Sequence, residues 1–467
     1  MTGLNTNVVH DWIDTVTDAG RGLLERRLRL GITGLSSSGK TVLLTALVQA
    51  LLHPERLQGL TAVQEGRYHA AVLRPQPNQH LPRFPFEDNL AQLTQATNWP
   101  PGTRRQSELR LSIRYRPTGL QGRLSDGVLH LDLFDYPGEW LMDLALLGHD
   151  HASWSSAVLE EMQQPRHEAA AREFRQILAD LDPDRPDPEA EQKAMQAAEA
   201  FRSYLRQRQE QESRALLLHP GRFLLPGELE GAPVLTFAPL PPANHDTAWR
   251  RRARNQDHSL RELMEQRFAS YRDGIVRPFH RRHFMRLDRQ LVLVDLLAHL
   301  SRGSEGLKAL DHEMQSLQEA LRIGRSWLPR RLRAGVDRVL FACSKADHLP
   351  GDQHEILEGL LARSLAGSLR QTRFRGAETE TMTLAALRAT REVTQPERPN
   401  RRYVAGIPLG GQQEVAHYPG QLSLEGIPSD AFEILAFQPP VGLSSAQAWP
   451  HIRLDRALQY LIGDRLA

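Results

Sequence analysis

The chain has 467 residues, 40% of them apolar and 24% charged, with a formal net charge of +2 at pH 7. That length admits two or three domains and a sizeable core, and the near balance of charge excludes a global field that would demand nucleic acid or acidic lipid. One cysteine, Cys343, excludes an intrachain disulfide and fits a reducing compartment.

The opening stretch MTGLNTNVVHDWIDTVTDAGRG lacks a basic segment followed by an apolar one, so no signal peptide is expected. The longest apolar runs, such as LVLVDLLAHL, are about half of what a spanning helix needs. A cytoplasmic protein is expected, with attachment to the inner-membrane surface as the alternative. Residues 8–25 place Val8, Val9, Trp12, Ile13, Val16, Leu23 and Leu24 at near-helical spacing. A helix packed on the domain is expected there; a membrane-surface helix would want more basic residues.

RLRLGIT then reads as a short buried strand and GKTVLLTALVQALL as a helix with an apolar stripe. Between them GLSSSGKT matches G-x-x-x-x-G-K-[ST] at Gly34, Gly39, Lys40 and Thr41. Chemistry sets this spacing. Successive backbone N–H groups must curl around one phosphate, so small residues that tolerate unusual backbone angles are needed, here Gly34, Ser36, Ser37, Ser38 and Gly39. The helix that follows aims its positive end at the same anion. Lys40 is expected to reach the β- and γ-phosphates, and Thr41 to ligate Mg²⁺ through its hydroxyl. The lysine is conspicuous because the chain holds four lysines against 54 arginines.

From His53 to Thr103 the chain reads as loop, with prolines at 54, 75, 77, 82, 85, 100 and 101. SELRLSIRY and GVLHLDLFDYPG follow as two alternating strands and form a hairpin in this reading. Asp135 ends the second, where a carboxylate can hold Mg²⁺ through water. Asp135-x-x-Gly138 is the pattern in which a glycine N–H meets the γ-phosphate and senses its loss. Asp132 faces the other side of that strand and is expected to pair or meet solvent. Glu139 is a candidate to orient or deprotonate the attacking water, with a surface carboxylate as the plain alternative. Thr103 stands where a switch threonine closes the Mg²⁺ shell, Thr97 is a weaker candidate, and Arg104 and Arg105 are candidate transition-state cations.

Mostly helical patterns occupy roughly 140 to 285, and strands resume at RQLVLVDLL, VDRVLFACSKAD and TMTLAALRAT. Ser344-Lys345-Ala346-Asp347 ends one of them, close to N-K-x-D. A carboxylate there accepts two hydrogen bonds from the N1–H and N2–H₂ edge of guanine, whereas adenine's unprotonated N1 repels it. Lys345 lays its stem along the base; Ser344 in place of asparagine weakens selectivity. Ala389 and Thr390 end the next strand and offer a backbone N–H to the guanine O6. Asp135 and Asp347 lie 212 residues apart, too far for two βαβ steps, and the surplus is a helical insert. The glycine- and proline-rich tail holds a strand-like FEILAFQPP and a closing helix, LDRALQYLIGDRL.

GLSSSGKT, LPRFPFEDNL, DLFDYPGEWLMDL, SKADHLP and HIRLDRALQYLIGDRL together resemble the YcjX-like family of bacterial P-loop GTPases over nearly the whole chain. The resemblance implies an α/β fold: a Ras-like P-loop NTPase domain, a mostly parallel sheet flanked by helices, with a large helical insertion and a C-terminal extension. It divides the chain into 1–148, the inserted 149–284, the returning 285–398 and the extension 399–467. It further implies GTP and GDP binding with Mg²⁺ and an association with stress response. LPRFPFEDNL carries no derivable chemistry and is read as a packing signature or part of the first switch.

The expected function is a slow GTP-hydrolysing switch to which the insert responds, engaging an unknown protein partner or activating protein. No specific nucleic acid is expected. One alternative is an ATPase or nucleotide kinase. The other is a nucleotide-stabilised scaffold whose basic runs 249–255, 280–286 and 329–333 engage a partner or membrane; a solvated face is the plain explanation of such runs.

Overall fold

β1 (Glu25–Gly34) sits in the middle of a seven-stranded sheet of order β2-β3-β4-β1-β5-β6-β7. The computed structural model describes residues 25–34, 38–119, 126–212, 219–243, 258–282, 286–303, 306, 310, 336–374, 376–424 and 432–467. The helix expected over 8–25 and the basic runs 249–255 and 329–333 fall outside these residues, apart from Glu25. Of the run 280–286, Arg281 and Arg282 are described and exposed. Among the described residues no helix is long and apolar enough to cross a membrane.

β3 (Ser107–Tyr115) and β4 (Gly127–Asp135) pair antiparallel, Ser107 opposite Asp135, as the hairpin reading expects. β4, β1, β5 (Arg289–Val294), β6 (Arg338–Cys343) and β7 (Glu378–Thr383) run parallel. Alternate strand residues serve two cores. Leu28, Leu30, Ile32, Leu131, Leu291 and Leu340 join one cluster with α1 (Lys40–Leu52). Phe134, Val292, Val294, Phe341 and Cys343 join the other with the inserted helices. Burial on both faces explains why the parallel strands read as near-continuous apolar runs.

The reading of 53–103 as loop is corrected. β2 (Tyr68–Arg74) pairs antiparallel with β3 at the sheet edge, and α2 (Phe86–Thr94) follows. Two of the prolines bound these elements: Pro75 directly follows β2 and Pro85 immediately precedes α2. Phe84 and Phe86 of LPRFPFEDNL are buried in the α1 core, which makes that stretch a packing element.

Among the described residues the insert holds α3 (His151–Met162), α4 (Glu168–Ala179), α5 (Ala190–Glu212) and α6 (Leu260–Tyr271), with short helical turns at Gly221–Leu224, Gly227–Leu229 and Pro233–Leu235 between the last two. Its core is aromatic: Trp154 stacks on Phe268 at 5.1 Å and meets Phe237 edge-on at 5.5 Å. α6 continues through one π turn, Arg272–Val276, into Arg277–Arg282. α7 (His354–Ser364) and α8 (Ala366–Phe374) cross from β6 to β7.

The tail holds a three-stranded antiparallel sheet that the sequence reading missed: β8 (Arg391–Gln395), β9 (Arg398–Gly406) and β10 (Val415–His417). FEILAFQPP, in contrast, forms no strand; a single bridge joins Phe437 to Pro408. Pro439 and Pro440 remove the donors a longer ladder needs. TMTLAALRAT ends its strand at Thr383, and 384–390 form the loop beyond. α9 (Leu454–Ile462) buries Leu454, Ala457, Leu458, Leu461 and Ile462, an i, i+3, i+4, i+7, i+8 stripe, into the core of β1 and α1.

α1 is buried nearly all round rather than along one stripe. The tail covers its outer side: Gln49 donates to the carbonyls of Ser445 (2.9 Å) and Gln447 (3.0 Å), and Ala46 packs with Trp449.

On the insert-facing side β1, β3 and β4 carry charge. Asp132 is fully buried and paired with Arg27 (2.6 Å) and Arg110 (2.5 Å), so it pairs and does not meet solvent. Glu108 is buried beside it, with neither carboxylate oxygen hydrogen-bonded among the described residues. Burial first, then the Asp132 charge, pushes the Glu108 carboxyl up to about 7. The folded chain therefore holds an extra proton between about pH 4.5 and 7 and loses stability as pH rises through that window. Glu108→Gln is expected to raise the melting temperature at pH 8 by more than it does at pH 5. Thermal melts at the two pH values check this; equal shifts would assign the effect to packing instead of charge.

Candidate functional site

β1 delivers the chain to Gly34, and the loop turns there because nothing larger fits. A Cβ on Gly34 would stand 2.5 Å from the Ser38 hydroxyl and 2.8 Å from the Leu293 carbonyl. Gly39 holds φ +87°, a left-handed angle that favours glycine, and from it α1 begins with no side-chain cap. Its first-turn N–H donors are therefore left for a ligand. Ser36 and Ser37 lie outside the described residues; Ser38 is buried.

Lys40 is buried, and its ammonium donates to the Gly34 carbonyl. Burial lowers its pKa, while the nearby Glu139 and Asp135 carboxylates pull it back up. Next to it three oxygens converge. Thr103 Oγ1 donates to Asp135 Oδ2 at 2.8 Å and lies 3.3 Å from Thr41 Oγ1. Asp135 Oδ1 is buried and has no hydrogen-bond partner among the described residues, and burial pushes this carboxyl up to about 6. An orphaned carboxylate oxygen beside two hydroxyls fits a hard divalent cation completed by phosphate oxygens and water. Among the described residues no cluster of three His, Cys, Asp or Glu side chains could hold a metal without such help. Thr97, with φ 52°, lies in the loop beyond α2 and makes no such contact among the described residues.

Gly138 opens a 3-10 helix, Gly138–Gly148, whose residues from Gly138 to Leu144 are all buried. Glu139 is 8% exposed and lines the same cavity as Lys40 and Thr41, so it is not a surface carboxylate. Arg104 lines that cavity too, whereas Arg105 does not.

The cavity, about 680 Å³, runs from the phosphate loop to Ser344, Lys345, Asp347 and Ala389. It is within the size of ligand pockets. Lys345 sits at φ 60° and its ammonium reaches Asp295 at 2.5 Å. Asp347 Oδ2 accepts from the Ala389 N–H at 2.8 Å, and the Thr390 hydroxyl donates to the Asp347 carbonyl. Thr390 thus supports Asp347 from behind and is not part of the cavity wall. Ser344 is anchored to β5 through its N–H on the Val294 carbonyl, 3.0 Å.

Sequence reasoning missed Asp295, which directly follows β5 in the quoted RQLVLVDLL, and every residue that the insert and the tail bring here. The insert reaches the site through Gly221, which crosses Glu139 so closely that a Cβ would stand 1.9 Å from the Glu139 carbonyl oxygen. The Gly221 N–H donates to Asp143 at 2.7 Å. The Arg222 guanidinium lies 3.5 Å from the Trp140 ring centroid, and the Trp140 indole donates to the Leu225 carbonyl at 2.9 Å. Burial pushes the Asp143 carboxyl up to about 7 against the pull of Arg222. Leu225 itself lines the cavity.

Known proteins resemble this chain end to end. The model of one family, described as YcjX-like, matches residues 28–466. A protein of Escherichia coli (strain K12) named Ras-like GTPase YcjX is 35% identical over 462 residues, 95% of this chain and 97% of that protein. A protein of the same name from Shewanella oneidensis is 34% identical over 489 residues, 97% of this chain and 98% of that protein.

Proposed function

The chain belongs to the YcjX-like family, and from that premise we propose that it is a magnesium-dependent switch that binds GTP and GDP and hydrolyses GTP slowly. The observation that carries the reading is one cavity with both chemistries at its ends. Lys40 and Thr41 line one end and Ser344, Lys345 and Asp347 the other. Lys40 would leave the Gly34 carbonyl for the β- and γ-phosphates. Thr41 and Thr103 would hold Mg²⁺ directly and Asp135 through water, and the ion would neutralise charge on the transferring phosphoryl group. Glu139 would position water against it, and the Gly138 N–H would report its departure.

The insert is the element we propose to carry the nucleotide state outward. Supporting this, it touches the 138–148 segment through Gly221, Arg222 and Leu225. A protein partner that reads the insert, or speeds hydrolysis, follows from the same reading.

Asp347→Asn tests the guanine assignment. The variant is expected to bind GDP about 100-fold more weakly, because two charge-assisted bonds to the base edge are lost. Xanthosine diphosphate, which presents a carbonyl where guanine presents N2–H₂, should gain affinity, because an amide can donate to it. Calorimetry with Mg²⁺ and both nucleotides measures the two constants. An unchanged ratio would remove Asp347 from the base site. Wild-type protein that binds neither GTP nor GDP would remove the proposed function.

A further inference from the structure

Among the described residues β7 is the last strand of the sheet, so one side of its main chain is open. The N–H groups of Glu378 and Leu384 turn to the β6 side, donating to the carbonyls of Asp337 and Cys343 at 2.8 Å each. By strand alternation Thr379, Thr381 and Thr383 turn their N–H and C=O groups outward. Side chains meet two of them: Arg373 donates to the Thr379 carbonyl at 3.5 Å, and the Thr383 N–H donates to Glu358 at 3.4 Å. The Thr381 main chain has no such cover among the described residues. The tail starts to close this edge and then leaves it. Ala385 and Ile452 exchange two backbone bonds, 3.1 and 2.8 Å, and the Arg388 N–H donates to the Pro450 carbonyl. A strand continuing from Ile452 would run past Thr383 toward Thr379. Arg453 instead takes φ 56°, a left-handed angle that costs a non-glycine residue, and α9 begins at Leu454. The Arg453 guanidinium donates to Glu358 at 2.7 Å and to the Thr383 hydroxyl at 3.0 Å, which fixes the departure. The space left is a cavity of about 390 Å³. α7 and α9 pack on opposite faces of the sheet and both line it, so it lies at the edge. Glu380 and Met382 of β7 and Arg456 and Tyr460 of α9 complete its wall. Glu380 and Arg456 are exposed, and neither side chain has a hydrogen bond or ion pair among the described residues.

We propose that this edge receives an extended peptide of a partner protein, which adds a strand beside Thr381 and sets a basic side chain on Glu380 and an acidic one on Arg456. Open N–H and C=O groups on a terminal strand call for another main chain. A carboxylate and a guanidinium without partners on one cavity wall call for a ligand carrying both charges. An extended peptide supplies all of these. Side chains two apart lie on one face of a strand, so the basic and acidic residues stand at i and i+2, and strand direction decides their order. Main-chain pairing supplies the affinity and the two charges fix the register. The cavity shares no residue with the nucleotide cavity, so the proposal stands apart from the guanine reading.

The test uses the full chain and labelled, end-blocked heptapeptides read by fluorescence anisotropy. The probes are Thr-Val-Lys-Val-Glu-Val-Thr and its charge-exchanged order, Thr-Val-Glu-Val-Lys-Val-Thr. The control, Thr-Val-Lys-Glu-Val-Val-Thr, has the same composition with its charges on opposite faces. One of the two orders is expected to bind about ten-fold or more tightly than the control. Glu380→Lys, at an exposed position, is expected to weaken that peptide about ten-fold with the melting temperature unchanged, and to regain it when the peptide's lysine is replaced by glutamate. Hydrogen exchange should find the outward amides of β7 fast in the free chain and slowed by the peptide. Absence of binding in both orders overturns the proposal, as does binding that ignores Glu380→Lys or protection that falls elsewhere than β7. Outward amides already slow in the free chain would mean that the edge is covered, by a second copy if dilution frees them and by this chain's own segments if not, and either overturns the partner peptide.

Discussion

Lys40→Ala is expected to lower affinity for GTP by about 100-fold or more and to bring turnover to background. The ammonium is the buried cation at the phosphate end, and charge-assisted bonds of this kind are each worth about 1.5–3 kcal/mol. Removing a charge aimed at the transition state costs a further 10²–10³-fold or so in rate. Stability should move the other way. Burial lowers the Lys40 pKa, which means that the fold holds this ammonium at a cost. Without nucleotide, the alanine variant should melt no lower than wild type, while the shift that GDP and Mg²⁺ give wild type should vanish. Thermal melts with and without nucleotide, beside a phosphate-release assay, separate the two effects. GTP affinity within a few-fold of wild type would show that the loop does not grip phosphate through this side chain.

Gly221→Ala is expected to cut turnover by about ten-fold or more, through the insert and without touching the nucleotide. The new methyl would stand 1.9 Å from a backbone oxygen, that of Glu139, and backbone cannot swing aside as a side chain can. Either Glu139 shifts or the Gly221–Leu224 turn lifts away. Overpacking of this kind costs about 1–3 kcal/mol of stability. Lys40, Thr41 and Asp347 are on other elements, so affinity for GDP should fall far less than the rate. Single-turnover hydrolysis, a GDP titration and a melt are needed together. Wild-type rate and stability would mean that the insert is not seated on the switch in solution.

Comparison of the motif with the folded chain shows what a linear reading can hold. The phosphate loop was legible because much of its geometry is local: Gly34 is crowded by Ser38 within the same loop, besides Leu293 on β5, and Gly39 needs its φ. Asp135 and Asp347 were legible because one ends an apolar strand and the other lies in the turn just beyond one, and the parallel sheet carries all such ends to one edge. Thr103 could be placed only by its position before β3; the structure shows what singles it out from Thr97, its bond to Asp135. β2 was hidden by the prolines that follow it. Asp295 looked like one more polar residue after a strand until Lys345 was found on it.

Trp99 and Phe437, joined by a hydrogen bond from the indole to the backbone carbonyl, were beyond reach for a different reason. They are 338 residues apart in sequence, and nothing local in either stretch refers to the other. Gly221 is the same case: a glycine after proline reads as a turn, and only the fold reveals the carbonyl pressed against it.

β1 and α9 lie far apart along the chain, yet α9 lines the core of that central strand. A ribosome must release residue 462 before residue 28 is fully enclosed, and α1 waits on 445–449 for its cover. The growing polypeptide therefore keeps its phosphate loop and α1 unfinished until that distant segment has been made. This part of the molecule is completed at one stroke, when the two distant segments meet.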